Sequence, residues 1–350
     1  MSRFFSKNFA ALTPYTPGEQ PQDKQYVKLN TNESPFPPSE KAQAAAAEAA
    51  ASLQLYPDPT CRTIREQLGA LYGLSADEVI VTNGSDEVLN FAFLAFCDNG
   101  AIFPDITYGF YRVFADLYRI PCEEIPLKVD FTIDIADYKG RKETVFIANP
   151  NAPTGIPLTV AQIEEIVASN PDRVVVIDEA YVDFGGESCA PLVRKYDNLL
   201  VTGTFSKSRS MAGARLGFGF ACPALIQDLE TLRYSTNPYN INRMTMAAAL
   251  GQLADEDETV RNCAAIVANR EYTTAALTAM GFSVLPSKAN FVFATHPHIG
   301  GKDLYRRLKE KGILVRHFDK PRLKEYNRIT IGSRAQMDAL LTAIKEILEE

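Results

Sequence analysis

Four consecutive apolar residues, Val174 to Ile177, break off at Asp178, Glu179, Ala180 and Tyr181. A run without polar alternation predicts a strand buried on both faces, as in a parallel sheet covered by helices on either side. The pattern recurs. Val145–Ala148 stops at Asn149 and a proline-rich turn ending at Gly155; Leu199–Val201 leads to Thr202, Thr204, Ser206 and Lys207; Val79–Val81 stops at Asn83 and Gly84. Between 156 and 170, Ile163, Ile166 and Val167 fall on one helix face. Strand 145–148, that helix and strand 174–177 make a βαβ unit, which strands 199–201 and 216–221 are expected to repeat. The fold class is therefore α/β, a mostly parallel, doubly wound sheet. Ligands of such sheets bind beyond the carboxyl ends of the strands, where each run here turns polar.

After about residue 260 the pattern changes to a long helix, short apolar runs at 282–285, 290–293, 313–316 and 328–331, and a last helix. In that helix Met337, Leu340, Leu341, Ile344 and Leu348 share a face. This predicts a small α+β domain over 259–350, a large domain over 30–258, and an irregular arm over 1–29 packed beside the small domain. No apolar run approaches the ~20 residues needed to span a bilayer. The start lacks the apolar segment of a signal peptide, which places the chain in the cytoplasm. Six cysteines lie far apart with no Cys-x-x-Cys pair, and His296 and His298 lack ligand-spaced neighbours, so no metal is expected. A net charge of −7 argues against nucleic acid as partner. An anionic substrate then needs a local cationic site. From 302 to 334 there are eleven Lys/Arg against four Asp/Glu. Most sit on a solvated helix face, but Arg316 and Arg328 adjoin apolar strands, where a cation needs a buried reason.

Lys207 lies between Ser206 and a small cationic loop ending at Arg215. A neutral lysine amine attacks carbonyls when burial or nearby positive charge lowers its pKa. The hydroxyls and the Arg215 fork suit a phosphate dianion, although an ordinary basic surface loop has the same local sequence. A second anion site is predicted where the run 79–81 turns into a helix at 86–97. There the backbone N–H groups of Gly84, Ser85 and Asp86 point from a helix N-terminus.

The set Asn149, Asp178, Tyr181, Lys207 and Arg215 resembles the pyridoxal-phosphate (PLP) enzymes of fold type I. Within them it is similar to the family of histidinol-phosphate aminotransferases, from about Leu12 to the C-terminus. The resemblance implies that Lys207 binds the cofactor covalently and moves a proton, and that Asp178 pairs with the pyridine nitrogen. It implies that Asn149 and Tyr181 hydrogen-bond the ring oxygen, and that Tyr108 stacks on the ring. Ser206, Arg215, Thr204 and the amides of 84–86 hold the phosphate. Tyr56 reaches a neighbouring subunit's phosphate in a homodimer. It implies too that Arg316 and Arg328 hold the substrate's anionic end, that Tyr15 from the arm closes over the pocket, and that Asn32 stands in the Pro-rich loop 29–38 at the pocket's edge. Asn32 also fits a helix-capping loop, and Tyr108 a core position. The implied reaction transfers an amino group between L-histidinol phosphate and 2-oxoglutarate in histidine biosynthesis. A threonine-phosphate decarboxylase carries the same motifs, and a broad aromatic transaminase is a further alternative; a PLP-binding regulator is a third class, against which the chain's acidity argues.

Overall fold

The computed structural model describes residues 2–350. The chain crosses the surface to a two-residue strand, β1 (Val27–Lys28), and two helices, α1 (Glu40–Ala50) and α2 (Arg62–Tyr72). Then come β2 (Val79–Thr82), α3 (Ser85–Phe96), β3 (Ala101–Pro104), α4 (Phe110–Tyr118), β4 (Cys122–Ile125) and β5 (Thr144–Ala148). After α5 (Val160–Ala168) the strands β6 (Val175–Asp178), β7 (Leu199–Thr204) and β8 (Gly217–Phe220) complete a seven-stranded sheet of order β2-β8-β7-β6-β5-β3-β4. Its apolar runs are continuous because alternate residues enter different cores. Val79, Val145, Ile147, Val175, Ile177 and Val201 pack on one face, and Ile80, Phe146, Val176 and Leu200 on the other. Each such fully buried side chain contributes about 1.5–3 kcal/mol.

One strand departs from the expected repeat. β8 runs antiparallel to both β7 and β2. The segment between β7 and β8 folds as a loop with one 3-10 turn, Ala212–Ala214, and carries no crossover helix. Without a crossover a neighbouring strand can only return antiparallel. That loop contains Lys207, so the chain spends the connection on the site rather than on covering the sheet.

Helices α6 (Pro223–Thr236), α7 (Arg243–Leu253) and α8 (Glu256–Ala279) lead to a second sheet, of order β12-β13-β10-β9. It consists of β9 (Ser283–Val284), β10 (Phe291–Thr295), β12 (Arg316–His317) and β13 (Tyr326–Thr330). Helix α9 (Gly301–Glu310) precedes β11 (Ile313–Leu314), which pairs in parallel with β1, and α10 (Arg334–Glu349) closes the chain. The core here unites Val292, Ile329, Met337, Leu340 and Ile344. The N-terminal segment is tied to this part of the chain: Arg316 donates to the carbonyls of Thr16 and Pro17, and Glu19 accepts from Tyr305 and Lys309. No helix among the described residues is long and apolar enough to cross a membrane.

Candidate active site

The strand ends converge on a cavity of about 670 Å³. Tyr15, Asn32, Ser85, Asp86, Tyr108, Asp178, Tyr181, Thr204, Ser206, Lys207, Arg215, Arg316 and Arg328 all line it. Thirteen residues predicted from sequence therefore meet, drawn from positions more than three hundred residues apart.

Lys207 stands three residues beyond the end of β7, and its Nζ donates to the carbonyl oxygen of Thr31 at 3.2 Å. Burial, and then the positive charge of Arg328, hold the amine down at about 8 despite Glu33 and Asp86. Two residues later Arg209 turns fully inward and donates to Glu256 at 2.9 and 3.1 Å. This pins the lysine loop to the start of α8. Arg209 is the buried partner, while Glu256 keeps part of its surface in solvent and Asp183 stands 3.7 Å from the same guanidinium.

Asp178 ends β6, and its two carboxylate oxygens accept from Thr202 at 3.1 Å and from Tyr111 at 3.2 Å. Burial, and after it the charge of Asp86, push the carboxyl up to about 6. It still ionises near neutrality, and a cation beside it would favour the charged form further. Tyr111 was not predicted as a site residue. Its hydroxyl donates to Asp178 from a wholly buried ring, a position that looks like core in the sequence.

The anion cup forms where β8 passes the start of α3. Gly84 has φ +78°, and a Cβ on it would stand 2.4 Å from an Arg215 guanidinium nitrogen. A Cβ on Gly217 would stand 2.1 Å from the Ser85 amide nitrogen. Only glycines let the arginine fork and the helix N-terminus approach this closely. Arg215 reaches Ser206 Oγ at 3.4 Å and Asp86 at 3.4 Å, and Ser206 bonds Thr204 at 2.9 Å. The expected amide set is smaller by one, because the Gly84 N–H donates back to Thr82 at 2.9 Å. The N–H groups of Ser85 and Asp86 remain as the donors of a helix's first turn, where an anion is favoured.

Tyr108 donates to Asp86 at 2.7 Å, and burial raises its phenol well above the ordinary value. Tyr15, from the N-terminal arm, packs against Phe110 with ring centres 4.5 Å apart and against Tyr108 at 6.4 Å. Arg328 lies between the rings of Phe291 and Phe318, 5.3 and 5.6 Å from their centres. One guanidinium nitrogen donates to Asn30 at 3.0 Å, whereas Nε is buried without a partner. Arg316 differs, since its two terminal nitrogens already donate to the arm's carbonyls at 3.2 Å.

Three predicted residues do not line this cavity: Gly84, whose part is to let Arg215 approach, Asn149 and Tyr56. Asn149 is buried, and its amide is consumed by Leu158: Oδ1 accepts from the Leu158 N–H at 2.6 Å and Nδ2 donates to its carbonyl at 3.3 Å. The loop presents Ala152 and Pro153 to the cavity instead. Tyr56 is 77% exposed, and its ring stacks on Tyr239 at 4.5 Å. Thr31, Asn30 and Thr202 were missed, because backbone acceptors and a mid-strand hydroxyl carry no motif.

The architecture has known counterparts. Residues 24–344 match the model of the family described as aminotransferase class I and II. The chain is 50% identical over 353 residues to the histidinol-phosphate aminotransferase of Marinomonas sp. (strain MWYL1), with 99% of this chain and 100% of that protein covered. It is 47% identical over 353 residues to the histidinol-phosphate aminotransferase of Brachyspira hyodysenteriae (strain ATCC 49526 / WA1), with 100% of each covered. A crystal structure of histidinol-phosphate aminotransferase from Sinorhizobium meliloti in complex with pyridoxal-5'-phosphate shares the fold. Its TM-score is 0.90 at 24% identity, with 100% of this chain and 98% of that one covered. Matched by the family model from Lys24 to Ile344, with a half-buried lysine at the sheet's carboxyl edge, the chain belongs to the class I and II aminotransferases.

Proposed function

We propose that this protein transfers an amino group between L-histidinol phosphate and 2-oxoglutarate, giving imidazole acetol phosphate and glutamate in histidine biosynthesis in the cytoplasm. Pyridoxal 5′-phosphate is its cofactor. The observation that carries the reading is a half-buried amine, held down at about 8, in one cavity with two separate cationic sites, Arg215 and Arg328. One suits the cofactor's phosphate and the other the substrate's anion. Full-length likeness to relatives named histidinol-phosphate aminotransferases supports the choice of amine.

The residues present fit the cofactor. The glycine-made cup of Ser85, Asp86, Thr204, Ser206 and Arg215 suits its phosphate, and Tyr108 the face of its ring. Asp178 suits its pyridine nitrogen, and Tyr181 its ring oxygen. When bound, the cofactor supplies a sink for the electron pair left at the substrate's α-carbon. Lys207 Nζ provides the covalent anchor and then, once free, takes the α-proton. Asp178 stays ionised and holds positive charge at the nitrogen it faces. Arg328 holds the phosphate of the amine in one half-reaction and the carboxylate of 2-oxoglutarate in the other, with Arg316 and Tyr15 beside it.

The test is a substrate panel. Histidinol phosphate should convert the enzyme-bound cofactor to its amine form and 2-oxoglutarate should restore it, whereas unphosphorylated histidinol should be at least tenfold poorer in kcat/KM. Equal rates with histidinol or phenylalanine would favour an aromatic transaminase. Carbon dioxide release from threonine phosphate would favour a decarboxylase.

The active unit is a homodimer in which Tyr56 completes the neighbour's phosphate site. Leu53, Leu55, Tyr56, Tyr234 and Tyr239 are all exposed. An apolar surface of this kind suits a two-fold contact. Mixing inactive Lys207→Ala subunits with Tyr56→Phe subunits should raise activity above either parent, because one site of the mixed dimer then has both residues. No recovery would place Tyr56 outside the neighbour's site.

A further inference from the structure

Asn32 was expected to touch substrate, yet every polar group it has is already engaged. Its backbone N–H donates to Thr330 Oγ1 at 3.0 Å, and its carbonyl accepts from Asn290 at 2.9 Å. Its side-chain oxygen accepts from the Thr330 hydroxyl at 3.0 Å, and its side-chain nitrogen donates to the Tyr181 hydroxyl at 2.9 Å. The backbone sits at φ +57°, in the left-handed region that asparagine tolerates better than most residues. Asn32 is 1% exposed.

The direction of these bonds follows from the donor inventory. The Thr330 oxygen accepts from the Asn32 N–H, so its one proton goes to the Asn32 side chain, which must present its oxygen there. The other end of the amide is therefore the NH2 group, and it donates to Tyr181. Among the described residues the phenol oxygen has no other hydrogen-bond partner, so its own proton is left to point into the cavity. Asn149, the other residue expected to face the cofactor's ring oxygen, has its amide committed to Leu158. Tyr181 is left alone to donate there.

We infer that Asn32 is a positioning residue for the reaction: its amide, locked by Thr330, keeps the Tyr181 hydroxyl turned to donate to the cofactor's ring oxygen. The inference rests on the proposed cofactor site. The charged groups facing Tyr181 are Lys207, with Nζ 5.9 Å from the ring centre, Arg328 from β13, Asp178 from β6 and Asp86 from α3. None of them lies on the loop that carries Asn32.

Asn32→Asp tests this with minimal change of shape. A carboxylate still accepts from Thr330, but at Tyr181 it accepts where the amide donated, drawing the phenol proton away from the cavity. The readout is the pH midpoint of the holoenzyme's visible absorption band. A ring oxygen that loses its donor keeps more negative charge and holds the neighbouring proton more tightly, so the midpoint should rise by about one pH unit, a tenfold change in the equilibrium. kcat should fall about tenfold, with KM for the amine changed less than about threefold. In a Tyr181→Phe background the same substitution should do nothing more, since Asn32 acts through the phenol. Thr330→Val, which frees the amide to rotate, should shift the midpoint in the same direction, and Thr330→Ser should restore it. An equal shift with and without the Tyr181 hydroxyl, or no shift in any of these variants, would overturn the inference while leaving the cofactor reading intact. A wild-type protein with no titrating band would overturn both.

Discussion

Replacing Lys207 with alanine should lower kcat by about ten-thousand-fold, the upper range for loss of a positioned proton-transfer group, and abolish covalent capture of the cofactor as well. Borohydride reduction of the wild-type holoenzyme should place the label on Lys207, and the variant should take none. The wild type should also show how the site prepares its amine. An ordinary lysine is neutral at pH 7 in only about three molecules in ten thousand, whereas one at about 8 is neutral in about one in ten. Cofactor uptake by cofactor-free protein should therefore quicken about tenfold per pH unit up to pH about 8 and level off above it. The sign follows from burial and Arg328, which lower this pKa, so the reactive form accumulates as pH rises through the lowered value. A variant that turns over at the wild-type rate, or uptake that climbs steadily to pH 10, would remove Lys207 from its role.

Arg328→Ala should weaken both half-reactions by about 2–5 kcal/mol, roughly 30- to 5000-fold in kcat/KM, and leave the absorption band unchanged. The guanidinium lies half-buried between two aromatic rings, with a buried Nε lacking any partner and one bond to a backbone carbonyl. A charge held partly out of water with no counter-charge is costly to the fold, and an anion arriving from outside lowers that cost. For the same reason the variant should melt, without substrate, at the wild-type temperature or above. A purely structural arginine would instead lower the melting temperature on removal. Arg328→Lys should rescue little, because a point charge cannot reproduce the planar fork. Equal losses confined to histidinol phosphate, with 2-oxoglutarate untouched, would show that the two anions use different residues. Arg316 is the natural control, since both of its terminal nitrogens are engaged by the N-terminal arm.

Much of the site was legible because the chemistry lies at the ends of strands. Asp178 stands where an apolar run stops, Lys207 in the polar segment that follows another, and Ser85 where a third turns into a helix. Local hydrophobic pattern alone marks such positions, and Gly84 stood out at the end of its run, whereas the need for glycine at 217 showed only in the fold. Arg316 and Arg328 stood out in the same way, as cations beside apolar strands.

Tertiary structure decided what the local pattern leaves open. β8 looks like any other buried strand, and its direction depends on the path of the preceding loop. Asn149 ends its strand as an active-site residue should, yet its amide is claimed by a backbone group nine residues on. Asn32 reads as a loop residue or a cap, and only folding sets it between Tyr181, 149 residues away, and Thr330, 298 residues away. Hydrophobic periodicity is written in neighbouring residues, so sequence alone determined the buried strands and their polar ends, while Tyr15, Asn32 and Tyr108 were reached only through the family resemblance. A buried polar group must be satisfied by whatever donors and acceptors the fold brings within about 3 Å, and those partners are not neighbours in sequence. For this reason the three-dimensional structure alone decided which polar groups face the cavity free and which are already spent.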